Sequence, residues 1–153
     1  IDGMVIVTTP QDVALLDSRK SITFANSLKV DVIGVIENMS GYTIRGKAPS
    51  GTEIELAAPG GKTVQVTADE EGHWSGTLDI FKSGGGEKTA EEFGVPFLGK
   101  LPFDPGFVRG GDDGVHRIVS EPDGPASQAF AEVVAQIQSK VESGSTDSGL
   151  EII

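Results

Sequence analysis

The stretch MVIVTTPQDVALLDSRKSITFANSLKVDVIGVIENMS, residues 4–40, decides the fold. It begins with the run MVIVTT (4–9) and ends with the run DVIGVIENMS (31–40), and apolar runs of this kind are typical of strands covered on both faces of a parallel sheet. Between them, Thr9 as the N-cap and Pro10 in the first helical position predict the start of a helix. Strand, helix and strand in this order predict a βαβ unit, so a ligand is expected at the carboxyl ends of the strands.

Residues 43–78 have a different pattern, in which short alternating segments are separated by turn sequences at 49–51, 59–61 and 70–72. This pattern predicts three or four antiparallel strands. The apolar residues spaced to share one face are Ile54, Leu56, Val64, Val66, Trp74 and Leu78. Because such a face is too small to be stable alone, we expect these hairpins to lean on the main domain, with Trp74 shielded.

The same region contains Gly60-Gly61-Lys62-Thr63, which looks like the end of a phosphate-binding P-loop. A P-loop has another glycine five positions before its last glycine, and here Leu56 occupies that position. It also leads from a strand into a helix, whereas the residues after Lys62 alternate as in a strand. We therefore interpret Pro59-Gly60-Gly61 as the turn of a hairpin.

From Asp79 onward the α/β pattern resumes. The segment SGGGEKTAEEFGV predicts a short helix with Ser83 as a possible cap and Gly94 as its stop, and PFLGKLP predicts the next buried strand. The three glycines 84–86 could bind an anion through free N–H groups at the helix start, although a flexible helix start is the alternative.

Residues 103–124 are rich in turn residues and predict a loop, after which Pro125 opens a helix whose apolar residues keep helical spacing as far as Val141. These patterns divide the chain into an α/β core, a β-hairpin insert and a flexible tail. The predicted bounds are 1–42 and 79–142 for the core, 43–78 for the insert and 143–153 for the tail.

The composition of the 153 residues narrows the possible partners. The hydrophobic content of 37% suits one ordinary core. With 23 acidic against 12 basic residues the net charge is −11, which repels nucleic acids and anionic membranes. The chain has no apolar run long enough for a bilayer span and no signal-peptide pattern, so we expect a soluble, cytoplasmic protein.

Metal chemistry has little support in the sequence. The chain has no cysteine, which excludes disulfides, thiolate zinc sites and cysteine-held iron–sulfur clusters formed by these residues alone. His73 and His116 lie in turn-rich contexts without a ligand partner nearby in the sequence, and we interpret both as surface residues. Asp112 and Asp113 lack the spacing of a calcium loop.

Five blocks, in order, resemble the C-terminal half of the Mrp family, iron–sulfur cluster carrier ATPases of the MinD/ParA-like branch of P-loop NTPases. The blocks are DGMVIVTTPQDVALLDSRKSI, VIGVIENMSGY, IFKSGGGEKTAEEFGVPFLGKLPFDP, RGGDDG and EPDGPASQAF. The resemblance implies a doubly wound α/β fold that binds ATP and magnesium, forms a homodimer and delivers a cluster to iron–sulfur client proteins. It further implies a partial sheet, because the family's P-loop and acidic Walker B strand precede the segment that starts here at Ile1.

The family's Cys-x-x-Cys motif follows the block matched by ENMS, and here the β-hairpin insert stands in its place. The resemblance therefore does not carry a cluster-binding motif to this chain. Without the P-loop and Walker B elements, we also expect no ATP hydrolysis by the chain alone.

Carried over by resemblance, three residues form the candidate nucleotide site. Asn38 would recognise the edge of the adenine, because an amide can donate and accept together. Pro102 and Asp104 match the family segment that passes beside the base and ribose, and Gly84, Gly85 and Gly86 match a loop near the dimer and cluster face. Two function classes remain: one part of an ATP-binding cluster carrier, or a non-catalytic interaction module that uses the β insert as its binding surface.

Overall fold

The computed structural model describes residues 3–145 and shows an α/β fold. The strands are β1 Met4–Thr8, β2 Val32–Lys47, β3 Glu53–Ala57, β4 Thr63–Thr67, β5 His73–Leu78 and β6 Phe97–Phe103. The helices are α1 Asp12–Ser27, α2 Gly85–Phe93, α3 Pro105–Asp113, α4 Arg117–Ser120 and α5 Pro125–Ser145.

The parallel part of the sheet is built around β2. β1 pairs in parallel with β2 from Val32 to Glu37, and β6 pairs in parallel with β2 from Val35 to Tyr42. The strands β1 and β2 are joined by α1, which confirms the predicted βαβ unit. Three parallel strands thus end at one edge of the sheet.

Helices cover both faces of this sheet, because successive β2 side chains point to opposite sides. Val35 packs with Ile22 of α1 and Ala90 of α2, whereas Ile36 packs with Leu98 of β6 and Val133 of α5. The arrangement is the doubly wound one that the sequence predicts. The predicted helix from Pro125 is confirmed, and Val133 and Ile137 form its sheet-facing side.

β2 is longer than the sequence predicts. It runs for 16 residues, and beyond its parallel part it pairs antiparallel with β5, from Tyr42 opposite Leu78 to Lys47 opposite His73. Positive φ angles at Met39 (57°) and Gly41 (86°) bend the strand without ending it. The change of pattern after Ser40 therefore marks a change of pairing partner within one strand.

The Pro59–Gly61 turn joins β3 to β4, which pair antiparallel with Leu56 opposite Val64. The turn is a single 3-10 turn with Gly60 at φ 79°, so the hairpin interpretation of this P-loop lookalike is confirmed. A Cβ placed on Gly76 of β5 would meet Leu56 and Val66, which shows that the apolar side of the hairpin packs against β5.

Trp74 of β5 is half-buried. Its indole lies over Gly46 of β2, where any Cβ would overlap the ring. The single tryptophan thus packs across the antiparallel β2–β5 pair.

Two predicted helix caps are wrong. α1 begins at Asp12, with Gln11 in the N-cap position. The Thr9 hydroxyl donates to the Gln11 side chain (3.3 Å) and does not cap the helix. The N-cap of α2 is Gly84 at φ 83°, not Ser83. The predicted stop at Gly94 is confirmed, with Gly94 in the left-handed conformation (φ 64°).

The prediction of a loop over 103–124 is also wrong, since α3 and α4 lie within it. Asp104 accepts a hydrogen bond from the Gly106 N–H (2.7 Å), and Pro105 occupies the first turn, so Phe103-Asp104-Pro105 is a helix start and not only a turn. α5 continues to Ser145, past the predicted end at residue 142, and the rest of the predicted tail, 146–153, lies outside the described residues. Among residues 3–145, no helix combines the length and apolar content that a membrane span requires.

We expect Leu98→Ala to lower the free energy of unfolding by about 2–5 kcal/mol, because it removes a fully buried side chain and leaves a cavity between the sheet and α5. Val119→Ala, at a side chain that is 78% exposed, is the matched control and should change little. Urea denaturation followed by circular dichroism measures both, and equal effects would contradict this description of the core.

Candidate functional site

The candidate site lies where β1 and β6 end, beside the bend of β2. Two consecutive β2 residues, Glu37 and Asn38, close the parallel part of that strand and pair with Lys100 and Leu101 of β6. Because neighbouring side chains in a strand point to opposite faces, the Glu37 carboxylate and the Asn38 amide lie on different sides of the sheet.

Glu37 is fully buried. Its Oε1 accepts hydrogen bonds from the Ser40 hydroxyl (2.6 Å) and the Gly84 N–H (3.1 Å), and its Oε2 accepts one from the Gly86 N–H (2.7 Å). The free N–H groups at the start of α2 thus bind an anion, and that anion is the protein's own carboxylate.

Only glycine fits at the closest point of this contact. A Cβ on Gly86 would lie 2.9 Å from the Glu37 Cβ and 3.3 Å from the Thr8 methyl group. The glycines were predicted from the sequence, but Glu37 was not. A carboxylate at the end of the apolar run VIGVIE was the available signal, since an acidic residue is rarely buried without partners.

Asn38, Pro102 and Asp104, the three residues predicted from the sequence, line one cavity of about 330 Å³. The remaining lining residues are apolar: Met39, Leu101, Phe103, Phe107, Val108, Ala126 and Phe130. Phe107 and Phe130 stack with ring centroids 6.0 Å apart and planes 25° from parallel. Phe107 and Val108 were not predicted as site residues, because the residues of α3 were interpreted as a loop.

The Asn38 amide is held by its own backbone. Its Oδ1 accepts a hydrogen bond from the Met39 N–H (2.9 Å), and Met39 adopts the positive φ noted above. This contact orients the side chain, while the amide NH₂ and the second lone pair of Oδ1 have no partner among the described residues. The amide can therefore both donate to and accept from a ligand.

Asp104 has a structural role in addition to lining the cavity. Its Oδ1 caps α3, and its Oδ2 accepts from the Arg117 Nε (3.3 Å), whose guanidinium also contacts Glu121 (2.6 Å). Desolvation lowers the pKa of Arg117, but the Asp104 and Glu121 carboxylates outweigh it and raise that pKa above its ordinary value. Asp104 thus fixes the segment that forms one wall of the cavity.

A second cavity, an open groove of about 560 Å³, runs along β1 and reaches Asn38. Its walls include the whole of β1 together with Thr9 and α1 residues such as Ser18. In the described part of the sheet, β1 pairs only with β2, so its other edge is open. Asn38 lies between the groove and the apolar cavity, because it lines both.

No group of three or more His, Cys, Asp or Glu side chains among residues 3–145 is arranged to hold a metal ion. The His73 ring lies on the surface near Asp69 and Glu71, with Nδ1 3.9 and 3.6 Å from their carboxylates. His116 is exposed and is the N-cap residue of the short helix α4.

A family model described as ParA, NUBPL iron-transfer P-loop NTPase, matches residues 1–72 and 64–138. The iron–sulfur cluster carrier protein of Methanocaldococcus jannaschii is 37% identical over 142 residues, which cover 93% of this chain and 39% of the relative. The cytosolic Fe-S cluster assembly factor NUBP2 of Bos taurus is 34% identical over 142 residues, 93% of this chain and 42% of the relative. The chain thus spans about two fifths of the length of these relatives.

Solved structures agree on the fold. The cell division ATPase MinD of Pyrococcus furiosus has a TM-score of 0.56 at 17% identity, with 90% of this chain and 43% of that chain covered. MinD of Pyrococcus horikoshii, solved as a complex with Mg-ADP, has a TM-score of 0.56 at 18% identity, with 94% and 44% covered. The described sheet and helices are therefore similar to part of a P-loop ATPase fold.

We expect Glu37→Ala to lower the free energy of unfolding by about 1–3 kcal/mol, because it leaves buried donors of α2 and Ser40 without an acceptor. The amide protons of Gly84 and Gly86 should also exchange faster. Glu53→Ala removes an exposed carboxylate and is the matched control. Denaturant unfolding and amide hydrogen exchange measure the two effects, and equal behaviour of the two variants would show that the Glu37 contact is unimportant.

Proposed function

Because the chain belongs to the ParA/NUBPL family of iron-transfer P-loop NTPases, we propose that it works as part of an ATP-binding iron–sulfur cluster carrier of the Mrp type. Within that carrier it supplies the adenine side of the nucleotide site. The observation that carries the proposal is the cavity lined by Asn38, Pro102 and Asp104, at the bend of β2 and the carboxyl end of β6.

The chemistry of the cavity suits a purine base. A base is flat and apolar on its faces and polar at its edge, and this cavity combines mainly apolar walls with one oriented amide. The Asn38 NH₂ can donate to a ring nitrogen of adenine, and its Oδ1 can accept from the exocyclic amino group. At about 330 Å³ the cavity lies at the small end of the range for ligand sites, which fits a base better than a whole nucleotide.

The phosphates belong on the side of the open groove along β1. Asn38 lines both cavities, so a nucleotide whose base occupies the apolar one has its remaining groups directed toward the groove. Residues 3–145 place no phosphate-binding loop there: the helix start of α2 is already bound to Glu37, and Pro59–Gly61 forms a hairpin turn. We propose that the P-loop strand, from a segment upstream of Ile1, pairs with the open edge of β1 and completes the site.

Magnesium would accompany ATP, and its protein ligands would come from that upstream segment, since the described residues offer no group of ligands for it. An iron–sulfur cluster is the cargo in this proposal. The chain has no cysteine, so protein thiolates for a cluster must come from outside these 153 residues. Self-association, iron–sulfur client proteins and a cytoplasmic location complete the proposal by relation to the family.

The interaction-module alternative receives less support. The β3–β4 hairpin turns its apolar side to β5, and its other face carries polar side chains such as Glu53, Glu55 and Gln65. An exposed apolar patch, the usual mark of a binding surface, is therefore not found on the hairpin's outward face.

We expect Asn38→Ala to weaken ATP binding by about 1–3 kcal/mol in the full gene product, because the base loses its oriented hydrogen-bonding partner. The loss should be larger for ATP than for GTP, since the exocyclic amino group of adenine requires the Oδ1 acceptor. Asn26→Ala, at an exposed position on α1, is the matched control. Isothermal titration measures the affinities. Unchanged ATP binding by Asn38→Ala would refute the assignment of the cavity lined by Asn38, Pro102 and Asp104 as the base cavity.

We also expect the upstream segment, supplied in cis or as a separate polypeptide, to slow hydrogen exchange at the amides of β1, because a new neighbouring strand would occupy the open edge. The amides of β4 are the internal control, since within the described part of the chain β4 pairs only with β3. The 153-residue chain alone should associate or melt at low temperature. A sharp, high melting transition of a monomer, or β1 exchange that does not change, would contradict the proposed strand addition.

A further inference from the structure

A third cavity, of about 620 Å³, lies between the insert and the helices that follow β6. Its walls include Tyr42 and Arg45 of β2, Arg109 of α3 and Ser127 at the start of α5. It shares the end of β6 with the base cavity, but neither arginine nor Ser127 lines the base cavity. We refer to it below as the arginine cleft.

The N-terminus of α5 faces this cleft with unsatisfied donors. The backbone N–H groups of Ala126 and Ser127 have no acceptor among the described residues, and the first turn of this 21-residue helix carries no acidic side chain. Ser127 is only 2% exposed, yet its hydroxyl also has no hydrogen-bond partner among residues 3–145. The Ser127 hydroxyl oxygen is not completely enclosed by protein atoms. Because Ser127 lines the cleft, a ligand bound there can supply the missing hydrogen-bond partner.

The unpaired donors of the cleft favour an anion, although the chain as a whole is strongly acidic. The guanidinium groups of Arg45 and Arg109 form no ion pair or hydrogen bond with the described residues, whereas Arg117 is engaged by Asp104 and Glu121. The remaining carboxylate of the cleft is that of Asp113. The three arginines and three carboxylates that line the cleft balance one another, but Arg45 and Arg109 remain unpaired donors, and the α5 N-terminus adds a partial positive charge.

From this combination we propose that the arginine cleft binds the phosphate group of a small phosphate ester. Guanidinium forks, free backbone N–H groups at a helix start and a hydroxyl donor together match the several acceptor oxygens of a phosphate. The cavity is larger than one phosphate group requires, and Tyr42, packed edge-on against Phe103 at 5.7 Å, offers an aromatic wall for the organic part. This proposal does not depend on adenine binding at Asn38.

The test is a titration of the ¹⁵N-labelled full gene product with inorganic phosphate and with glycerol phosphate, at constant ionic strength. We expect saturable shifts of the Ala126 and Ser127 amide signals, with both compounds, at concentrations up to about 10 mM. Shifts that are absent from the α5 N-terminus, or that do not saturate, would overturn the proposal. Tighter binding of malonate than of phosphate would overturn the phosphate assignment.

The variants locate the site. Arg45→Gln and Arg109→Gln should each weaken binding about tenfold, the usual value of a charge-assisted hydrogen bond, without loss of fold, because neither side chain has a partner within the described structure. Lys47→Gln removes the same charge from the same strand outside the cleft and should leave the affinity unchanged. An equal loss in Lys47→Gln would show general electrostatic attraction and overturn the assigned site. Circular dichroism of each variant separates lost binding from lost fold.

Discussion

The hydrogen bonds between the Glu37 carboxylate and the start of α2 are the contact on which the rest of the site depends. Both carboxylate oxygens are used: one by Gly84 and Ser40, the other by Gly86. The contact joins β2 just before its bend at Met39 to α2, which covers one face of the sheet, and to Ser40, which lies just beyond the bend. A buried carboxylate is tolerated here because each oxygen has a donor, and the Gly84 and Gly86 N–H groups would otherwise be unsatisfied at the start of a helix.

The base cavity follows from this arrangement by strand alternation. With Glu37 directed toward α2, the next residue, Asn38, is directed toward the side where β6 ends and α3 begins. The bend at Met39 then lets β2 continue as the partner of β5, so a single strand connects the parallel core to the antiparallel hairpins. The base cavity lies beside the parallel part of this strand, and the arginine cleft lies beside its antiparallel part. Both cavities are also lined by residues at the end of β6.

Much of the fold could be predicted from the sequence, because its signals are local. The apolar runs 4–9 and 31–40 determined two parallel strands, and the Pro59-Gly60-Gly61 turn was enough to distinguish a hairpin from a P-loop. The resemblance placed Asn38, Pro102 and Asp104 in one site, and the structure brings those three residues to one cavity. The partners of Glu37 in α2 were not predictable in this way, because Gly84 and Gly86 lie 47 and 49 residues away in the sequence. The helices α3 and α4 were missed because glycines and prolines in 103–124 outweighed the one cap signal at Asp104.

In the proposed site, the cavity beside Asn38 holds the adenine base of a nucleotide whose phosphates are bound by an upstream segment. A crystal structure of the full gene product with Mg-ADP tests this placement. We expect the base between the Asn38 amide and the apolar wall that contains Phe107, with the phosphates on the side of the β1 groove and a new strand paired to β1. A base bound elsewhere, with Asn38 out of hydrogen-bonding distance of it, would contradict the claim.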